Sequence, residues 1–183
     1  MQHRRILLPA GDWREPDSGR FRSDIQIITK VPPHTPFGIL EEHAGELEID
    51  ETPVFFSGIR YGSFLNSAGI ATDPGRGRLL LVTGIAQPEP LKKYLKDAGI
   101  LFTHMSYPDH HLFSDADIRK IEAKFRAEKC AYVLFTEKDF VRLGNSWPDD
   151  IPTLYLPVQA EILKDARGFD LRMLSFVQRF FAS

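Results

Sequence analysis

One cysteine in 183 residues leaves no internal disulfide to form and no cysteine-rich zinc module to build. That residue, Cys130, lies in "KCAYVLF", which reads as a buried strand, so a core thiol is expected, and a reducing compartment fits it. Long hydrophobic runs are also missing. Nothing approaches the roughly 18 apolar residues of a membrane span. The basic start "MQHRR" is followed only by "ILLPA" before charge returns, so no signal peptide is read. Charge of one sign is not in excess: a net charge of −2 and a pI of about 6.3 predict no broad, salt-dependent nucleic-acid binding. No internal repeat or low-complexity tract is evident, and no G-x-x-x-x-G-K-[ST] phosphate loop occurs. What is present is 43% hydrophobic and 26% charged, a globular composition with room for one sizeable domain or two small ones.

The first 36 residues read as irregular, with a short strand over Asp24–Lys30 that "VPPHTP" stops with its three prolines. A short helix or loop is expected over 37–52, a second strand over Pro53–Gly62, and a turn or hairpin at "DPGRGR" (Asp73–Arg78). From there the pattern is regular. "LLLVTGI" (Leu79–Ile85) is a continuous apolar run of the kind found in buried parallel strands. Leu91, Tyr94, Leu95 and Ala98 then share a helical face, as do Ile118, Ile121 and Phe125 further on. Strands "GILFTHM", "AYVLF" and "TLYLP" and a short helix "EKDFVRL" complete the alternation, and Phe169–Phe181 reads as an amphipathic helix carrying Leu171, Leu174, Val177 and Phe181. Strand and helix alternating at this spacing predict an α/β fold with a parallel sheet and right-handed crossovers. Ligands of such sheets sit at the carboxyl ends of the strands. Those ends here are "TGIAQP", "SYPDHH" and "TEKD", so three polar clusters are expected to gather on one edge.

Each cluster has a structural and a functional reading. Thr136 is a ready N-cap, and Asp139 three residues later resembles a capping box. The functional alternative is an anion drawn by Lys138 and the helix start. "SDAD" (Ser114–Asp117) repeats the cap logic and is assigned to structure. "TGIAQP" lacks the glycine spacing of a dinucleotide fingerprint and means a tight strand-to-helix turn. In "PDHH", His110 and His111 are adjacent and point apart on an extended chain, so joint metal ligation is disfavoured. Asp109 beside either imidazole suits a general acid–base pair. "PAGDWREP" holds Arg14 and Glu15 between prolines, either as a surface turn or as an arginine oriented toward an anion.

Four phrases in order, "LLPAGDWREP", "LLVTGIAQPEPL", "FTHMSYPDHHLFSDADI" and "VLFTEKDFVRL", together resemble the tetraacyldisaccharide 4'-kinase family, the lipid A 4'-kinases of Gram-negative bacteria. The family patterns are close to "LLPAGPLREP", "TGIGNP", "FPDHHPF" and "TTEKDAVK", and the resemblance runs from about Ile6 to the C-terminus. It implies a Rossmann-like sheet with flanking helices, the second domain of a P-loop-type two-domain kinase. It further implies transfer of the ATP γ-phosphate, with Mg2+, to the 4'-hydroxyl of a tetraacylated glucosamine disaccharide 1-phosphate. The implied location is the cytoplasmic face of the inner membrane, with a lipid A precursor as partner and no nucleic acid. By position, Asp109 and His110 match the family's "DH" pair, in which the histidine supports a catalytic aspartate of the other domain. Arg14 and Glu15 match its "RE" pair near the phosphates, and Thr136, Glu137, Lys138 and Asp139 match its "TEKD" cleft wall.

The resemblance also sets expectations about organisation. Residues 1–52 are expected as a remnant of the nucleotide-binding domain, 53–78 as linker strands, and 79–183 as the C-terminal α/β domain with its terminal helix. The family's phosphate loop, catalytic aspartate, magnesium-binding aspartates and membrane helix all precede this region, so the chain by itself is expected to show little kinase activity. Surfaces that face the other domain are expected to leave an exposed apolar patch that favours dimerisation or aggregation. Two rival functions follow from the residues. One is a manganese phosphoesterase of the DHH type, using Asp109, His110 and His111. The other is a non-catalytic lipid-binding module.

Overall fold

A computed structural model describes residues 16–32, 35–46, 52–144 and 147–181. Two compact units are present: Met1–Arg60 with Ala160–Ser183, and Tyr61–Gln159.

In the second unit, the run β4 (Leu79–Thr83) is fully buried along its whole length, as a strand covered on both faces must be. Around it the order is β3 (Leu65–Asn66), β7 (Thr153–Leu156), β6 (Tyr132–Thr136), β4 and β5 (Phe102–Ser106). Strands β7, β6, β4 and β5 are mutually parallel. The two-residue β3, not foreseen in the sequence, adds an antiparallel edge to β7. Alternate side chains divide the core between the two faces. Leu80, Val82, Val133 and Phe135 pack against Ile118 and Ile121 of α3 (Asp115–Ala127), with Cys130 buried among them. Leu79, Leu81, Leu134, Leu154 and Leu156 pack against Leu91 and Leu95 of α2 (Glu89–Asp97). Helix α2 ends where Gly99 takes φ 70°, a left-handed conformation that costs glycine little, and its N–H closes on the Lys96 carbonyl at 2.9 Å.

The chain leaves β4 for β5 on one side, then crosses back to place β6 on the other. The order therefore reverses between β4 and β6. The carboxyl ends of those two strands form the switch point, where helices leave on opposite faces and a crevice opens. Helix α4 (Glu137–Leu143) starts directly at the end of β6, with the bounds the sequence pattern predicts.

In the other unit, β1 (Gln26–Val31) runs parallel to β2 (Val54–Tyr61), and β8 (Val158–Ile162) is the third strand of that sheet. A 3-10 helix spans Asp17–Arg22 and α1 spans Phe37–Glu46, both within segments read as irregular or ambiguous. Val31, Leu40 and Phe56 make a small core. Helix α5 (Ala166–Phe181) has no buried residue; Leu171, Leu174, Val177 and Phe181 are all exposed, and Phe169 meets Phe55 edge-to-face at 5.2 Å. Among the described residues, no helix is long and apolar enough to cross a membrane.

Phe135 is fully buried between two aromatic rings, Phe113 at 6.1 Å and Trp147 at 5.0 Å. Phe135→Ala is expected to lower unfolding free energy by about 3–5 kcal/mol. The exposed Val141→Ala should change it by less than about 0.5 kcal/mol. Urea denaturation of the two variants checks the difference.

Candidate functional site

The site is built from the loops after β4, β5 and β6, and its first fixed point is a buried carboxylate. Asp139 has no solvent exposure. Its Oδ2 accepts the Gly84 N–H at 2.8 Å and the Thr136 hydroxyl at 2.7 Å. The Thr136 Oγ1 in turn accepts the Asp139 N–H at 3.1 Å and so caps α4. This corrects the capping-box resemblance in one respect: the Asp139 carboxylate goes to the loop after the neighbouring strand, 55 residues away, rather than back to the Thr136 backbone. Parallel pairing of β4 with β6 makes that reach possible, because it sets their carboxyl ends side by side. Space at Gly84 is tight for any side chain. A Cβ would stand 3.0 Å from Asp139 Oδ1, 3.4 Å from the Pro108 carbonyl and 3.4 Å from the His111 Cβ.

The same glycine anchors the histidine loop. Its carbonyl accepts the His110 N–H at 3.2 Å, while the Thr83 carbonyl accepts the Tyr107 N–H at 2.8 Å. His110 sits at φ 61°, a left-handed conformation in which histidine is over-represented but which still stores strain. Asp109 Oδ1 also accepts the His110 N–H, at 2.9 Å, and stabilises that bend.

The bend separates the two histidines. His110 points outward: its Nδ1 lies 2.8 Å from Arg142 Nη2, and its Nε2 lies 3.7 Å from Asp109 Oδ2. His111 points inward. It stacks on Tyr107 at 4.7 Å, meets Phe113 edge-on at 5.1 Å, and places Nε2 3.1 Å from Asp117 Oδ2. Asp117 is the N3 residue of α3 and completes a capping box: its Oδ2 accepts the Ser114 N–H at 3.0 Å, and Ser114 Oγ accepts the Asp117 N–H at 3.3 Å. His111 is therefore a clamp on the start of α3. Because the two imidazoles address different partners, they do not converge on one point. Among the described residues, no group of three His, Cys, Asp or Glu side chains gathers to hold a metal ion. The DHH phosphoesterase reading, which needs such a group, loses its support here.

Of the candidate residues, Asp109, His110, Lys138 and Asp139 are thus brought together, with Thr136 beneath them. Lys138 Nζ donates to Asp109 Oδ1 at 2.8 Å. That hydrogen bond, with the charge of Lys138 behind it, holds Asp109 below its ordinary value despite partial desolvation. Glu137 is exposed in the first turn of α4. Arg14 and Glu15 lie outside the described residues.

Two participants were not singled out in the sequence. Arg142 approaches Asp139 Oδ1 at 4.0 Å through Nη1, and both atoms are buried without a hydrogen-bond partner among the described residues. Its only sequence signal is the i,i+3 spacing from Asp139 on a helix. His104 on β5 reaches the buried Thr83 hydroxyl with Nε2 at 2.8 Å, and burial, then the nearby Lys92, lower its pKa. Its position inside a strand pattern gave no signal.

Parallel strands, a switch point and flanking helices define a Rossmann-like α/β domain. The sequence matches the model of the family described as LpxK, tetraacyldisaccharide-1-P 4'-kinase, over residues 2–178, and the chain belongs to that family. It is 31% identical over 94% of its length to the tetraacyldisaccharide 4'-kinase of Flavobacterium johnsoniae, covering 50% of that protein. It is 37% identical over 81% of its length to that of Parabacteroides distasonis, covering 42%. The chain thus spans about half the length of the relatives it matches. A crystal structure of LpxK from Aquifex aeolicus in complex with ATP shares the fold, with a TM-score of 0.57 at 22% identity, over 91% of this chain and 47% of that one.

Two outcomes test the site's construction. Asp139→Ala orphans the Gly84 N–H and the Thr136 hydroxyl, and each should cost about 1–3 kcal/mol; Asp139→Asn, of the same size, should cost less. Asp117 is held at about 2, against its ordinary 3.8, mainly by the Ser114 hydrogen bonds and then by His111. Its contribution to stability is therefore complete above pH 3.8 and is lost as pH falls toward about 2. Acid titration of the unfolding midpoint should show that loss in the wild type, and a flatter profile over the same range in Asp117→Asn.

Proposed function

We propose that these residues form the Asp109–His110 side of a kinase that phosphorylates the 4'-hydroxyl of a tetraacylated disaccharide 1-phosphate, a lipid A precursor, at the expense of ATP. The observation that carries this reading is the family match over residues 2–178, which includes a "PDHH" loop pinned at the sheet switch point. In it, Asp109 and His110 face the reacting groups, and Lys138 fixes Asp109 by a direct ion pair. Asp139 and Thr136 hold the loops in register. Arg14 and Glu15 are assigned to the phosphates by their place in the "RE" pair. The working location is the cytoplasmic face of the inner membrane, where such a lipid is accessible.

The described residues do not fit ATP or Mg2+ by themselves. The sequence has no glycine-rich phosphate loop, and no acidic cluster of metal-binding size gathers among the described residues. What this chain supplies is a hydrogen-bonding and charged wall: a carboxylate fixed by Lys138 and an imidazole beside it. Residues 1–183 alone are therefore expected to turn over at least about 10²-fold more slowly than an intact relative in an ATP-dependent phosphorylation assay. Turnover near that of the intact enzyme would overturn the reading. A chimaera placing residues 1–183 behind the first half of a full-length relative should regain activity, and His110→Ala in it should lower kcat about 10²-fold or more. A folded chimaera without activity would count equally against it.

A further inference from the structure

The contact between Arg142 and His110 decides which hydrogen bonds His110 can make. A guanidinium carries only donors. With Arg142 Nη2 at 2.8 Å, His110 Nδ1 must present its lone pair, and the ring proton of the neutral imidazole must sit on Nε2. A proton on Nδ1 would set two donors and two cations against each other. We infer that Arg142 is a positioning residue that locks His110 in the Nε2–H form, so that His110 presents a hydrogen-bond donor, and not a lone pair, at its outward nitrogen. This inference rests on the reading of His110 given above.

Both ends of the contact are fixed independently. Arg142 is mostly buried, with a side-chain exposure of 23%, and faces the fully buried Asp139, itself tied to Gly84 and Thr136. His110 is held by its backbone to Gly84 and Asp109. The charged groups around the imidazole are Arg142, Lys138 and Asp139 from α4 and Asp109 from its own loop. The ring is 73% exposed and its Nε2 is only 3.7 Å from Asp109 Oδ2, beyond a hydrogen bond, so the Nε2–H remains available to an incoming acceptor. Arg142 thus has a chemical effect on His110 although it lies behind it.

The test is nitrogen-detected NMR of the isolated chain labelled at histidine and arginine, at neutral pH and without nucleotide or lipid. Wild-type His110 should show a protonated Nε2, a bare Nδ1 displaced toward the hydrogen-bonded range, and a coupling from Nδ1 to the Arg142 guanidinium. Arg142→Met should abolish the displacement and the coupling and let both tautomers appear. Arg142→Lys, which keeps a donor, should retain the Nε2–H pattern. Wild-type His110 protonated at Nδ1, or an Nδ1 resonance indifferent to Arg142→Met, would overturn the inference. If Arg142→Met does not fold, the presence or absence of the coupling in the wild type decides alone. Because the spectrum needs no phosphoryl transfer, its outcome is separate from that of the kinase reading. An inactive chimaera with the coupling intact would sink the function and leave the tautomer assignment standing.

Discussion

The hydrogen bond from the Gly84 N–H to the buried Asp139 carboxylate is the interaction on which the site depends. A carboxylate removed from water is costly unless its oxygens find donors. Asp139 finds them in Gly84 and Thr136, with the Arg142 guanidinium facing its other oxygen. The consequence is mechanical as well as electrostatic. The bond joins the loop after β4 to the first turn of α4. Since the Gly84 carbonyl also accepts from His110, the histidine loop after β5 hangs from the same residue. Three loops that the sheet merely places near one another are thereby held in one arrangement.

That arrangement gives two adjacent histidines opposite roles. The left-handed bend at His110 turns its ring outward toward Arg142, while His111 is taken inward between Tyr107 and Phe113 and bonded to the α3 cap. The Asp117 carboxylate that receives His111 also pushes the pKa of Tyr107 up, after burial has done so more strongly. One imidazole is thus part of the helix start, and the other lies exposed at the carboxyl edge of the sheet. The sequence motif shows them only as a pair.

Most of the α/β unit was legible, because buried strands and amphipathic helices write their periods directly into the chain. The apolar run at Leu79 and the caps at Ser114 and Thr136 led to elements with matching bounds or nearly so. A strand that escaped was β3, whose two residues are too few to carry the alternation that marks a half-buried strand. The amphipathic pattern of the final helix was equally plain, yet all its apolar residues remain unburied among the described residues. A period reveals which face is apolar; it does not say what covers that face.

What the sequence determined by itself was the alternation of strands and helices, the convergence of three polar clusters on one sheet edge, and the family, each written in local patterns and their order. What only the tertiary structure decided was which side chains in those clusters meet. Asp139 bonds a glycine 55 residues away and Arg142 a histidine 32 residues away. Such contacts arise from the crossover that sets β6 beside β4, and no local periodicity encodes them. The strand order turned a helix-capping aspartate into the lock of the site and an unremarked arginine into the partner of His110.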